Sequence, residues 1–220
     1  ANNSTGTGIV AIRISSLPSG GSTGADIVLV VAKSATYSPL VLSSAVYSTI
    51  AAAITAAPAT GASILLLDDT YTEALTTTKP IGLIGFSSAT RVTISQPSAV
   101  VLTNNCATGT VTLRNVTLAG GTAAALTHAS GAITEAFNCA FTGAASVITQ
   151  AAAATFRSTQ CAITGGVVVA TQVHSQSTIS GSSTAATSCA AANCTAIGAM
   201  SSANSAYYNC RFTSTLSITG

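Results

Sequence analysis

Charge is what this sequence lacks most. Charged side chains make up 5% of its 220 residues, against about 25% in ordinary soluble domains. Tryptophan is absent. The seven basic residues (Arg13, Lys33, Lys79, Arg91, Arg114, Arg157 and Arg211) are scattered singly. A nucleic-acid surface needs several of them on one face to displace counterions, so no nucleic-acid partner is expected. Long apolar runs are missing too. IVLVVA (27–32), IAAAITAA (50–57) and ILLL (64–67) fall far short of the roughly 20 residues a spanning helix needs, so no membrane insertion is expected. No basic segment followed by an apolar core opens the chain, so no signal peptide is expected. Ala1 reads as a native start after loss of an initiator Met, and a mature secreted chain would open the same way.

What is present is Ala, Ser, Thr and Gly, with hydrophobic residues at 48%. That hydrophobicity excludes disorder, which goes with low hydrophobicity and high net charge. A long solvated surface with a net charge of only +2 lacks the repulsion that keeps proteins apart. The chain is therefore expected to pack against copies of itself or a partner.

The first 45 residues read differently from the rest. GIVAIRIS and ADIVLVVAK are strand-like, separated by the turn-rich SLPSGGSTG. They suit a hairpin or two strands added to a neighbour's sheet, and YSPLVLSS follows as an extended segment. Residues 1–45 are read as an N-terminal β attachment or capping region, and 46–220 as the main body. In the body, Ser48 is placed to cap a helix from Thr49 to about Ala57, with Ile50 and Ile54 on one face. Pro58 blocks its continuation. SILLL and IGLIG read as buried strands.

This block, 46–95, resembles the N-terminal entry to right-handed parallel β-helix proteins of the pectate lyase and pectin methylesterase type. The resemblance rests on Tyr47, Thr49-Ile50, Ala53-Ile54, Ala56-Ala57-Pro58, SILLL, Tyr71 with Glu73, and KPIGLIG (79–85). Ala51 stands where Gln is usual and Asp69 where Gly is. The resemblance implies an all-β parallel solenoid with a short capping α-helix at one end and a small N-terminal β extension. The helix would cover coil edges otherwise open to water and stray strands.

From 96 onward a ragged repeat supports the same fold. NVTLAG, NCAFTG, QCAITG, STISG, NCTAIG and NCRFTS align on Gly120, Gly143, Gly165, Gly181, Gly198 and Ser214, at intervals of 23, 22, 16, 17 and 16 residues. STISG falls one residue short. Period-two alternation turns Val116 and Leu118, Cys139 and Phe141, Cys161 and Ile163, Cys194 and Ala196, and Cys210 and Phe212 to one apolar, inward face. Asn115, Asn138, Gln160, Asn193 and Asn209 fall at a corner, where Asn tolerates the left-handed conformation and its amide can bond the next coil's, forming a ladder.

The six cysteines, Cys106, Cys139, Cys161, Cys189, Cys194 and Cys210, form no CxxC pair and no Cys/His cluster with zinc spacing. Buried core thiols are the favoured reading; a Cys189–Cys194 bridge or an inter-coil bridge stays open. No metal or other cofactor is expected. The resemblance raises an enzyme acting on polysaccharide, which would need two placed carboxylates or a calcium cage. Only five acids exist: Asp26, Asp68, Asp69, Glu73 and Glu135. The Asp68-Asp69 pair is the weak enzyme candidate, and its plainer reading is a solvated turn. His128 and His174 have no carboxylate nearby in sequence and read as loop or surface residues. The Asn-x-Ser/Thr triplets at 2–5, 115–117 and 193–195 read as chance in a Ser/Thr-rich chain.

These readings lead to a non-catalytic structural or adhesive solenoid. Among such proteins a bacteriophage virion component (tail spike, fibre or head-decoration subunit) fits best. Its partners would be copies of itself, a trimer first, or other virion proteins, with a surface glycan as a further candidate. It would be made in host cytoplasm and reside in the virion. An extracellular surface or filament subunit is the nearest variant and a polysaccharide lyase or hydrolase the rival. An ice-binding face would need Thr-x-Thr in every coil, a rank these motifs do not display.

Overall fold

The computed structural model describes residues 28–32, 46–90, 92–150, 153–185, 188–196, 198–202 and 204–218. Among the described residues 24 strands and one helix, numbered in chain order, wind into a parallel solenoid with three faces. The first face stacks β1 (Val28–Val31), β3 (Ala62–Leu66), β6 (Ile81–Gly85), β9 (Thr110–Arg114), β12 (Ile133–Phe137), β14 (Thr155–Thr159), β16 (Thr171–Ser175), β19 (Ser188–Ala192) and β22 (Ser205–Tyr208), with β2 (Val46–Tyr47) outside β1. The second stacks β4 (Asp69–Thr72), β7 (Val92–Gln96), β10 (Thr117–Gly120), β13 (Ala140–Gln150), β15 (Ala162–Val168), β17 (Thr178–Ile179), β20 (Thr195–Ala196) and β23 (Arg211–Phe212). The third carries β5 (Leu75–Thr77), β8 (Leu102–Asn104) and β11 (Leu126–His128). The far ends of β13 and β15 follow, then β18 (Ser183–Ala185), β21 (Met200–Ser202) and β24 (Leu216–Ile218). Of the segment 1–45, β1 pairs in parallel with β3 and β2. GIVAIRIS, YSPLVLSS and Asp26 lie outside the described residues.

Period-two alternation supplies the core. On the second face one inward column runs Tyr71, Ile94, Leu118, Phe141, Ile163, Ile179, Ala196, Phe212, each in register with the next. Its first seven members are buried, and Phe212 packs against them half-buried. Burying each large apolar side chain is worth about 1.5–3 kcal/mol, so the column is a continuous source of stability rather than a local one. Phe141 and Phe156 meet edge to face at 5.6 Å between centroids, tying the second face to the first.

From β9 onward the corner between the first and second faces has one geometry. Asn115, Asn138, Gln160, Asn193 and Asn209 all have φ between 49° and 54°, and so does Gln176. Gln176-Ser177 therefore completes the rank in which STISG falls one residue short, with Ser177 where other coils carry Cys or Val. The corner between the second and third faces is built on glycine. A Cβ on Gly181 would sit 2.1 Å from the carbonyl carbon of Gly165, and one on Gly198 2.3 Å from that of Gly181. Coils touch there backbone to backbone, and no side chain fits between them.

Helix α1 (Ile50–Ala56) buries Ile50, Ala53 and Ile54 against the first coils. The expected cap is shifted by one residue. Thr49, not Ser48, is the N-cap: its backbone is extended and its hydroxyl accepts from Ala52 N. Thr49 wins because its side chain, one residue closer, reaches the open N–H groups of the first turn.

Candidate functional surface

A seven-residue helix is too short to stand alone in water, and the charges of the entry motif hold it in place. The Glu73 carboxylate accepts from Ile50 N and Ala51 N, both at 2.9 Å, at the helix N-terminus. At the other end Lys79 Nζ donates to the carbonyls of Ile54 (3.0 Å), Thr55 (2.9 Å) and Ala57. Each charge faces the helix pole of opposite sign. Tyr71 is fully buried and donates to Leu67 O at 2.7 Å. The residues that carry the family resemblance thus build the end of the solenoid.

The other acids among the described residues are also engaged. Asp68 accepts from Ser87 Oγ at 2.6 Å and Asp69 from Thr70 N at 2.6 Å, which fixes the turn into β4. Glu135, on the outer surface of the first face, receives Arg157 Nη1 at 2.8 Å from the next coil. Arg114 lies 4.6 Å over the Phe137 ring beside it. Among the described residues no group of three or more His, Cys, Asp and Glu is placed to hold a metal ion. No described helix is long and apolar enough to cross a membrane.

The corner residues form the ladder only in part. Asn138 Nδ2 donates to Asn115 Oδ1 at 2.9 Å, and Asn209 Nδ2 to Asn193 Oδ1 at 2.8 Å. Between these rungs the longer Gln160 and Gln176 stand exposed. Val116, Cys139, Cys161 and Cys194 are buried and Cys210 is half-buried. Cys106 and Cys189 are also buried, and all six thiols are free. The neighbouring Cys161 thiol and burial push the Cys139 thiol upward, and burial pushes Cys189 up to about 11. Both side chains fill core positions.

The histidines overturn the expectation of loop or surface positions. His128 and His174 are each 1% exposed and point into the solenoid. His128 Nδ1 faces Thr149 O at 3.3 Å and its Nε2 meets Thr134 Oγ1 at 2.9 Å, a hydroxyl shared with Asn104 Nδ2. His174 Nδ1 meets Ser158 Oγ at 2.7 Å, and its Nε2 lies 3.1 Å from Gln172 Oε1. Ser183 Oγ donates to the same Gln172 oxygen at 2.6 Å, and Ser158 touches Ser177 at 3.0 Å. Desolvation lowers both imidazoles to about 4, so both are neutral at pH 7. Hydroxyl, imidazole and amide stand in the order of a nucleophile relay, yet Ser158 is 2% exposed and no substrate reaches it. Physically this is a satisfied polar core. Sequence reasoning missed it, although counting back two and four from the Gln176 corner turns His174 and Gln172 inward.

The outer surface is a lattice of small neutral side chains. On the second face the outward column runs Thr70, Thr93, Thr117, Ala140, Ala162, Thr178, Thr195, Arg211. On the third face Thr76, Thr103, Thr127 and Thr149 stand in register, with Thr127 and Thr149 hydroxyls 3.2 Å apart. The sequence concealed this hydroxyl rank because the third-face strands lie at changing distances from the corners. Hollows interrupt the described surface, two of them as follows. One, of about 640 Å³, lies over Gly143, Gly165 and Gly181 with Thr164, Ser182 and Thr184 on its walls. The other, of about 340 Å³, is apolar and lies over Val173, Ala190 and Ala206 beside Tyr208.

No family model and no curated protein matches the chain. Solved structures do. A pectin methylesterase point mutant in complex with a hexasaccharide is similar over 86% of this chain and 80% of its own, at 14% identity and a TM-score of 0.68. Pectin methylesterase PemA from Erwinia chrysanthemi is similar over 89% and 67%, at 16% identity and 0.55. The enzyme from Aspergillus niger is similar over 86% and 87%, at 15% identity and 0.52. Identities this low speak for architecture alone. Its parallel coils, capped end and inward columns give this chain the right-handed parallel β-helix fold that pectin methylesterases also have.

Proposed function

We propose that the chain is a non-catalytic structural or adhesive β-helix, most specifically a bacteriophage virion component: a tail spike, fibre or head-decoration subunit. The observation that carries the reading is the fate of the acids. Among the described residues Glu73 holds the helix, Asp68 and Asp69 hold a turn, and Glu135 is paired with Arg157. Glycoside chemistry asks for two carboxylates facing one bond across about 5–9.5 Å, and this surface offers hydroxyl and methyl groups instead. A rigid, nearly uncharged body suits packing against copies of itself, a trimer first, or against other virion proteins. An extracellular filament subunit is the closest variant.

The test is compositional and hydrodynamic. Purified phage particles carrying the gene should contain the chain at fixed copy number by quantitative mass spectrometry. The isolated protein should sediment as an oligomer that persists on dilution. Absence from particles together with a stable monomer would overturn the proposal. So would release of methanol, reducing ends or unsaturated sugars from pectin or another polysaccharide, lost on Glu135→Gln.

A further inference from the structure

We propose that Cys194 and Cys210 form a reversible disulfide staple joining the last two described coils of the solenoid. The two residues occupy one rank of the corner, a single coil apart. On one side Asn209 Nδ2 bonds Asn193 Oδ1 at 2.8 Å; on the other Thr195 pairs in register with Arg211, and Arg211 N donates to Cys194 O at 2.9 Å. Both flanks are therefore locked in register. Each thiol points the same way, Cys194 Sγ toward Ala192 O at 3.2 Å and Cys210 Sγ toward Tyr208 O at 3.3 Å. Cys210 Sγ also lies 3.3 Å from Ala191 O, a carbonyl of the coil that carries Cys194. Neighbouring strands lie about 4.7–4.9 Å apart, inside the Cα separation of roughly 4.4–6.8 Å that a disulfide accepts.

Cys139 and Cys161 repeat this arrangement, with Ala140 in register with Ala162 and Ala162 N donating to Cys139 O at 2.9 Å. Access separates the two pairs. Cys139 and Cys161 are each 3% exposed in mid-solenoid, whereas Cys210 is half-buried on the last described coil. Exchange with a low-molecular-weight disulfide therefore starts at Cys210. Its thiolate attacks one sulfur of the reagent and expels one thiolate. Cys194 then attacks the Cys210 sulfur of the mixed disulfide and expels the second. The two cysteines lose two electrons and two protons, and the reagent leaves as two thiols. The product ties down β22, β23 and β24, which among the described residues pair with neighbours on one side only.

The experiment uses the folded full chain, oxidised glutathione as the probe, alkylation of remaining thiols, and intact-mass and peptide analysis. The expected result is loss of two hydrogen masses, a Cys194–Cys210 cross-link, four alkylated cysteines, and slower amide exchange across 205–218 that dithiothreitol reverses. The cross-link should vanish in Cys194→Ser and Cys210→Ser and persist in Cys189→Ser and Cys139→Val. Serine is tolerated in this rank, since Ser177 fills it one coil earlier, so loss in Cys194→Ser is not a folding artefact. Glutathione retained on Cys210 without a cross-link, or a cross-link to Cys189 instead, overturns the proposal.

Discussion

Acid should unfold this protein through its two buried histidines. In the native state both imidazoles titrate near 4, held down by desolvation; in the unfolded chain they titrate near 6.5. The folded pKa values are depressed, so the stabilisation is fully present above about pH 6.5 and is lost as pH falls toward 4, where the unfolded chain binds the extra protons. A tenfold change in proton affinity between the two states corresponds to about 1.4 kcal/mol. Two imidazoles falling from about 6.5 to about 4 on folding give a loss of order 5–7 kcal/mol, with a slope approaching 2.7 kcal/mol per pH unit mid-window. That rivals the whole stability of a typical domain, about 5–15 kcal/mol. Urea unfolding followed by far-UV circular dichroism at pH 7.5, 6.5, 5.5 and 4.5 measures the slope (pH values spaced at about one unit across the window). The control is the double variant His128→Gln/His174→Gln, whose amides keep donor and acceptor capacity without titrating. It should start less stable at pH 7.5 and lose little more by pH 4.5. A wild-type curve flat across the window, or an equal slope in the double variant, would refute the reasoning.

Five other substitutions probe the scaffold. Gly181→Ala drives a Cβ into the Gly165 backbone and should leave the chain insoluble, whereas Gly131→Ala meets nothing within 4 Å and should cost only about 1–2 kcal/mol for its left-handed φ, read by thermal melting. Lys79→Met removes the charged donor from three carbonyls at the end of α1; a loss of about 1.5–3 kcal/mol and faster amide exchange in 50–57 are expected. Cys139→Val should change stability by less than about 1.5 kcal/mol, as volume-conserving core swaps do. Cys139→Asp should abolish the folded state, because it buries an unpaired charge, as soluble yield and circular dichroism will show.

The corner residues show how far the sequence could be read. Asn115, Asn138, Asn193 and Asn209 announce themselves because a left-handed corner admits few residue types, and alternation fixes which neighbours turn inward. Gln176 was harder to see, since a Gln-Ser pair in QVHSQSTISG looks like any polar stretch, and with it went the inward placement of His174 and Gln172. The third face was illegible for another reason. From Asn115 to Leu126 is eleven residues, but from Gln160 to Val167 only seven, so no fixed offset leads from corner to strand. The candidate acids were legible as few, but their partners were not.

By itself, then, the sequence determined the parallel solenoid: corner chemistry and period-two alternation are local, and each coil needs only its neighbour. Tertiary structure alone decided what the charged and polar residues do. Glu73 and Lys79 act on a helix 22–25 residues away; His128 meets Thr134 and His174 meets Ser158 and Gln172 inside a core that exists only once several coils have closed. Contacts of that kind depend on coil length, which varies here from 16 residues between Thr155 and Thr171 to 30 between Gly82 and Thr112, and no local pattern encodes them.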